Sequence, residues 1–78
     1  MTGNAFDRLK RMAVFAEIVG SGSMTSAARR LAMSPSAVSQ QLRQLEHELG
    51  LTLMLRSTRK LALTEAGQEL YREHHAHH

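Results

Sequence analysis

The chain contains a single proline, Pro35, and a serine precedes it. That Ser34-Pro35 step constrains the fold more tightly than any other pair of residues in the sequence. The residue before a proline is pushed out of helical geometry, whereas proline itself suits the first position of a helix. One helix must therefore stop before Ser34, and a new one opens at Pro35 with Ser34 as its N-cap. Downstream, Val38, Leu42, Leu45 and Leu49 form an apolar stripe at helical spacing, and Gly50 is placed as the stop. The spacing predicts a helix over 35–49. Upstream, Ser23 caps a helix of about two turns that runs through Thr25, Ala27, Ala28 and Leu31.

The flanking segments add two helices and a hairpin. Met12, Phe15, Ala16 and Val19 recur at i, i+3, i+4 and i+7, one face of a helix over about 8–20. Asp7 is its expected N-cap, and Gly20 and Gly22 its stop. After Gly50 the period changes. Leu51, Leu53 and Leu55 alternate with Thr52 and Met54, and Leu61 and Leu63 alternate again beyond the polar Ser57-Thr58-Arg59-Lys60. This is the pattern of two short strands around a loop. Thr64 then caps a fourth helix, which begins Glu65-Ala66-Gly67 and carries Leu70 and Tyr71. The expected fold is mainly α with a small β-hairpin, about four helices in all. A short helix, a tight turn and a longer helix form a helix-turn-helix, and the hairpin after it is a wing. Ala27 and Ala28 suit a close crossing of those two helices.

Composition narrows the function. Seventy-eight residues make one domain, with no room for a second or for a deep substrate cleft. The chain has no cysteine, which excludes disulfide scaffolds, thiolate zinc sites and cysteine nucleophiles. No apolar run approaches a membrane span, and the first residues lack the apolar stretch of a signal peptide. A cytoplasmic location is the expectation, with no cofactor. The net charge is +3, but its placement is uneven. From Ile18 to Leu45 there are Arg29, Arg30 and Arg43 and no acid; from Leu49 to Thr64 there are Arg56, Arg59 and Lys60 and again no acid. Two basic segments flank the predicted helix 35–49 and favour an anionic partner.

The exposed face of that helix is chemically distinctive. With the leucine stripe removed, Ser36, Ser39, Gln40, Arg43 and His47 lie on or near the outer side. The first two turns offer only small or uncharged polar groups, including Gln41. Small side chains allow close approach to DNA, and serine and glutamine exchange hydrogen bonds with base edges. The helix N-terminus favours phosphate. The acids Glu46 and Glu48 sit at the far end.

From Gly22 to Gly67 the sequence resembles the N-terminal DNA-binding domain of LysR-type transcriptional regulators. The resemblance rests on Gly22-Ser23-Met24-Thr25, Ala27-Ala28, Leu31, Ser34 to Leu42, Leu45-Glu46 and Leu49-Gly50. It continues through Leu53, Leu55 to Arg59 and Leu63 to Gly67, and Phe15 fits the aromatic of the family's first helix. It covers about residues 9–72. It implies a bacterial winged helix-turn-helix that binds double-stranded DNA and regulates transcription. It also implies that Ser36, Ser39 and Gln40 read bases, with Pro35 packing near the groove. Ser23, Thr25 and Arg43 would hold the DNA backbone, and Arg56, Ser57, Arg59 and Lys60 would form a wing on phosphates or the minor groove. Arg29 and Arg30 are poised between DNA and a carboxylate partner.

Two departures bear on specificity. Many family members begin the recognition helix with Gln-Pro, where this chain has Pro35-Ser36, and many carry arginine where this chain has Gln40. Both change which bases are read. The family has a long effector-binding domain after the wing, so this chain is expected to correspond to residues 1–72 as the DNA-binding unit. Residues 64–78 would then be the start of a dimerisation helix with a His-rich tail. Such a fragment would bind no small-molecule inducer, and it would be a monomer or weak dimer where the longer protein is a homodimer.

Other signals carry less. Gly20-Ser21-Gly22 lacks the third glycine and the preceding strand of a nucleotide loop. His74, His75, His77 and His78 form a chain end more readily than a metal site. His47 has no serine or cysteine partner, and no paired carboxylates or nucleophile dyad point to an enzyme. A winged-helix protein-interaction module remains the alternative, although it would not need the Arg56–Lys60 cluster. The basic residues are spread over several elements, unlike those of a membrane-surface helix.

Overall fold

A computed structural model describes residues 5–56 and 61–76. The elements follow in the order α1 Ala5–Ser21, α2 Met24–Leu31, α3 Pro35–Leu49, β1 Met54–Arg56, β2 Leu61–Leu63 and α4 Glu65–Ala76. The hairpin is antiparallel, with Met54 opposite Leu63, Leu55 opposite Ala62 and Arg56 opposite Leu61.

Local chemistry sets most of the boundaries. Ser34 takes an extended backbone, and its Oγ accepts the Ala37 N–H at 3.1 Å, while Pro35 opens α3. Gly50 ends α3 at φ 68°, and the Leu51 N–H reaches back to the Glu46 carbonyl at 3.1 Å. The same backward bond closes α2, from the Met33 N–H to the Ala28 carbonyl at 2.9 Å. There the left-handed residue is Ala32, at φ 56°. A side chain in that region costs roughly 1–2 kcal/mol, so the turn before α3 holds some strain.

Three expectations for α1 are corrected. Asp7 lies in the first turn and is not the N-cap, because the helix already runs from Ala5. An acid stabilises either place, since both lie near the positive end of the helix dipole. The helix also passes through Gly20 and stops only at Gly22, where φ reaches 81°. Its core face is also displaced. Arg11, Val14, Phe15 and Ile18 are buried, whereas Met12, Ala16 and Val19 are only half-buried. Both sets have helical spacing, and a charged residue at position 11 disguises the true one.

Ala27, Ala28, Val38, Leu42, Leu45, Leu53 and Met54 complete the core. Leu53 and Met54 are consecutive and both buried, while Leu51 and Leu55 are largely exposed, so the expected alternation from Leu51 fails. The Glu46 carboxylate explains this. Its Oε2 accepts the Leu53 N–H at 2.8 Å and the Met54 N–H at 3.3 Å. The chain is thus pinned to α3 before it enters the strand.

Thr64 and Gly67 dock α4. The Thr64 N–H bonds the Leu53 carbonyl at 3.0 Å, and its Oγ1 donates to the Thr52 carbonyl at 2.5 Å and caps Gly67 N at 3.0 Å. A Cβ on Gly67 would lie 2.1 Å from the Leu53 carbonyl oxygen and 3.0 Å from a Leu63 methyl. Alanine is favoured over glycine in a helix by about 0.8–1.0 kcal/mol. A backbone overlap of this depth outweighs that preference, since overpacking costs typically about 1–3 kcal/mol. Gly67→Ala is therefore expected to destabilise the domain, read as a lower urea midpoint; an unchanged or higher midpoint would refute the close approach. Phe15 and Tyr71 meet edge to face, with ring centres 6.4 Å apart, and tie α4 to α1.

Candidate nucleic-acid interface

The buried stripe of α3 determines what the helix turns outward. Val38, Leu42 and Leu45 are at most 1% exposed. At about 100° per residue, Ser36, Gln40, Arg43, Gln44 and His47 all fall within about 60° of the line opposite that stripe. All five are exposed. Pro35 is exposed at the helix start, Ser39 is half-buried on the flank, and Gln41 turns inward with its amide oxygen buried. The structure thus brings Pro35, Ser36, Gln40 and Arg43 onto one open surface and sets Ser39 at its edge.

Ser23 caps α2, its Oγ accepting the Ser26 N–H at 3.0 Å. That use leaves the hydroxyl proton free to be donated elsewhere. Thr25 stands exposed in the first turn of α2. Arg56 closes β1 opposite Leu61. The Arg56 side chain, together with Ser57, Arg59 and Lys60, lies outside the described residues.

The acids around α3 are committed within the protein. Glu46 holds the Leu53 and Met54 amides. Glu48 accepts from Arg11 through both carboxylate oxygens, and the Arg8 guanidinium approaches it at 3.8 Å. Arg11 is 8% exposed, so this pair joins α1 to α3 through a nearly buried charge. On α1, Glu17 forms an ion pair with Arg30, Oε2 lying 2.5 Å from Nε, which gives Arg30 the carboxylate partner and leaves Arg29 without one among the described residues. Arg43 likewise pairs with no carboxylate among the described residues. The outward face of α3 is therefore uncharged or basic, with its nearby acids neutralised behind it. Sequence reasoning missed Arg11, Glu46 and Glu48 as positioning residues. Each acts on a partner distant in the chain or on backbone, which no local periodicity reports.

A winged helix-turn-helix whose second helix turns an acid-free face outward is the class that fold and surface define. The model of the lysR family of bacterial regulatory helix-turn-helix proteins matches residues 9–68. The chain belongs to this family. It is 55% identical over 65 residues to the transcriptional activator AaeR of Escherichia coli, covering 83% of this chain and 21% of AaeR. Among solved structures, full-length AphB, a virulence activator of Vibrio cholerae, superposes with a TM-score of 0.84 at 32% identity, covering 87% of this chain and 23% of AphB. The BenM DNA-binding domain in complex with catB site 1 DNA gives a TM-score of 0.80 at 32% identity, covering 83% of this chain and 72% of that one. The chain spans about a fifth of the length of the curated relatives it matches. No described helix is long and apolar enough to cross a membrane.

Proposed function

We propose that this chain binds double-stranded DNA sequence-specifically, as the DNA-binding domain of a LysR-type transcriptional regulator, and catalyses no reaction. One observation carries the reading: Val38, Leu42 and Leu45 of α3 are buried, and the surface the helix turns out holds Ser36, Gln40 and Arg43 with no acid. In this reading Pro35 packs near the major groove while Ser36, Ser39 and Gln40 meet base edges. Ser23, Thr25 and Arg43 hold the backbone, and Arg56, Ser57, Arg59 and Lys60 reach phosphates or the minor groove. Residues 1–72 form the DNA-binding unit, and 64–78 begin the helix through which two copies of the longer protein associate. The setting is the bacterial cytoplasm, on the nucleoid.

Gln40→Ala tests the base-reading role. It is expected to cost roughly 1–3 kcal/mol on the preferred duplex and little on random duplex. Equal losses on both would reduce Gln40 to a backbone contact. Salt tests the wing. The logarithm of affinity falls against the logarithm of salt concentration by about 0.9 per phosphate neutralised. Replacing Arg59 and Lys60 by alanine should flatten that slope by up to about two units, weakening all sequences alike. An unchanged slope would place the wing off the DNA.

A further inference from the structure

We propose that Gln44 is a second base-reading glutamine, which extends recognition beyond the residues that begin α3. The proposal rests on the DNA-binding reading of this face. Gln44 is exposed and lies one helical turn after Gln40, on the same side of α3. Together with Gln40, Arg43 and His47 it lines a groove whose other wall is Asp7 and Arg11 of α1.

The charge pattern of that groove admits a polyanion. Its acid on α3, Glu48, is held by Arg11 and Arg8, and Asp7 is engaged in an interaction of its own. Arg43 stays unpaired with any carboxylate among the described residues. The spacing is also suitable. Four residues of helix rise about 6 Å, close to two base-pair steps of about 3.4 Å each. A helix lying along the major groove would therefore set the two glutamines against base pairs about two steps apart. A glutamine amide pairs bidentately with adenine through N6 and N7. Arg43, flanking the pair, would anchor the adjacent phosphate and hold both amides at the base edges.

The test uses the duplex that the wild-type chain enriches from a random pool, with each base pair of its half-site varied in turn. Gln44→Ala is expected to weaken binding to the enriched duplex by about 5- to 150-fold and random duplex hardly at all. Its loss of discrimination should fall at a base pair different from the one affected by Gln40→Ala. An unchanged midpoint for thermal unfolding accompanies this result, because the side chain is exposed. Two outcomes overturn the proposal while leaving the DNA-binding reading intact. Either Gln44→Ala binds both duplexes as the wild type does, or it weakens both equally, which would make Gln44 a phosphate contact. If the wild-type chain itself enriches no sequence, the underlying reading fails as well.

Discussion

Leu42→Ala is expected to lower the unfolding free energy by about 2–5 kcal/mol, the cost of deleting most of a buried leucine and leaving a cavity behind. Leu42 is 1% exposed and sits in the middle of α3, between Val38 and Leu45 in the same buried stripe. A domain of this size has a total stability of roughly 4–12 kcal/mol at about 0.05–0.15 kcal/mol per residue. The substitution therefore removes a large part of it. At about 4–8 °C per kcal/mol, the thermal midpoint followed by circular dichroism should fall by at least about 8 °C. The contrast with Gln40→Ala is the informative part. Gln40 lies two positions earlier on the opposite side of the same helix, and its loss should leave the midpoint in place. A shift below about 1 kcal/mol for Leu42→Ala would mean that α3 is not seated by its leucine stripe, and its outward face would then be wrongly assigned.

The second large effect concerns two copies. The apolar residues that α4 offers are Ala66, Leu70, Tyr71 and Ala76, and Leu70 and Tyr71 already pack against the core of their own domain. Little is left for a helix–helix seam, and a helix of 12 residues is marginal without packing. This chain should sediment as a monomer or weak dimer at micromolar concentration. Joining two copies by a flexible linker should raise affinity for a two-fold site by about 10²–10⁴ through effective concentration alone. The gain should depend on half-site spacing, because both α3 helices must meet the major groove on compatible faces. A tight dimer of the unlinked chain would show that another surface suffices. Linked copies that bind every spacing equally would show binding without half-site recognition.

The parts of the fold that were legible in the sequence are those set by neighbours in the chain. Ser34, Pro35 and Gly50 fixed α3 at both ends, and Ser23 fixed the start of α2, because caps and stops act within three or four residues. Ala32 was not legible as the left-handed turn residue, since glycine is the usual signal there and none is present. The true core face of α1 was hidden by Arg11, whose charge is acceptable only because Glu48 meets it from 37 residues away. The strand pattern failed at Leu51 for a similar reason: Glu46 dictates the path of Leu53 and Met54 from α3. The value of Gly67 depends on the Leu53 carbonyl, which the sequence places 14 positions away. For the candidate site, the outward face of α3 followed from its leucine stripe, except that Gln41 turns inward and Gln44 joins the open side. The sequence could not show that Glu46 and Glu48, the two acids of α3, are occupied within the protein, by the Leu53 and Met54 amides and by Arg11.

The most direct test is selection of duplexes from a random-sequence pool by this chain, followed by titration of the enriched duplex against random duplex at fixed salt. The account predicts a short enriched half-site, bound more tightly than random DNA, with the preference weakened at one position by Gln40→Ala. Binding with no enrichment over the starting pool would contradict sequence recognition by α3. Absence of duplex binding even at low salt would contradict the DNA-binding function altogether and would favour a winged-helix module that recognises protein.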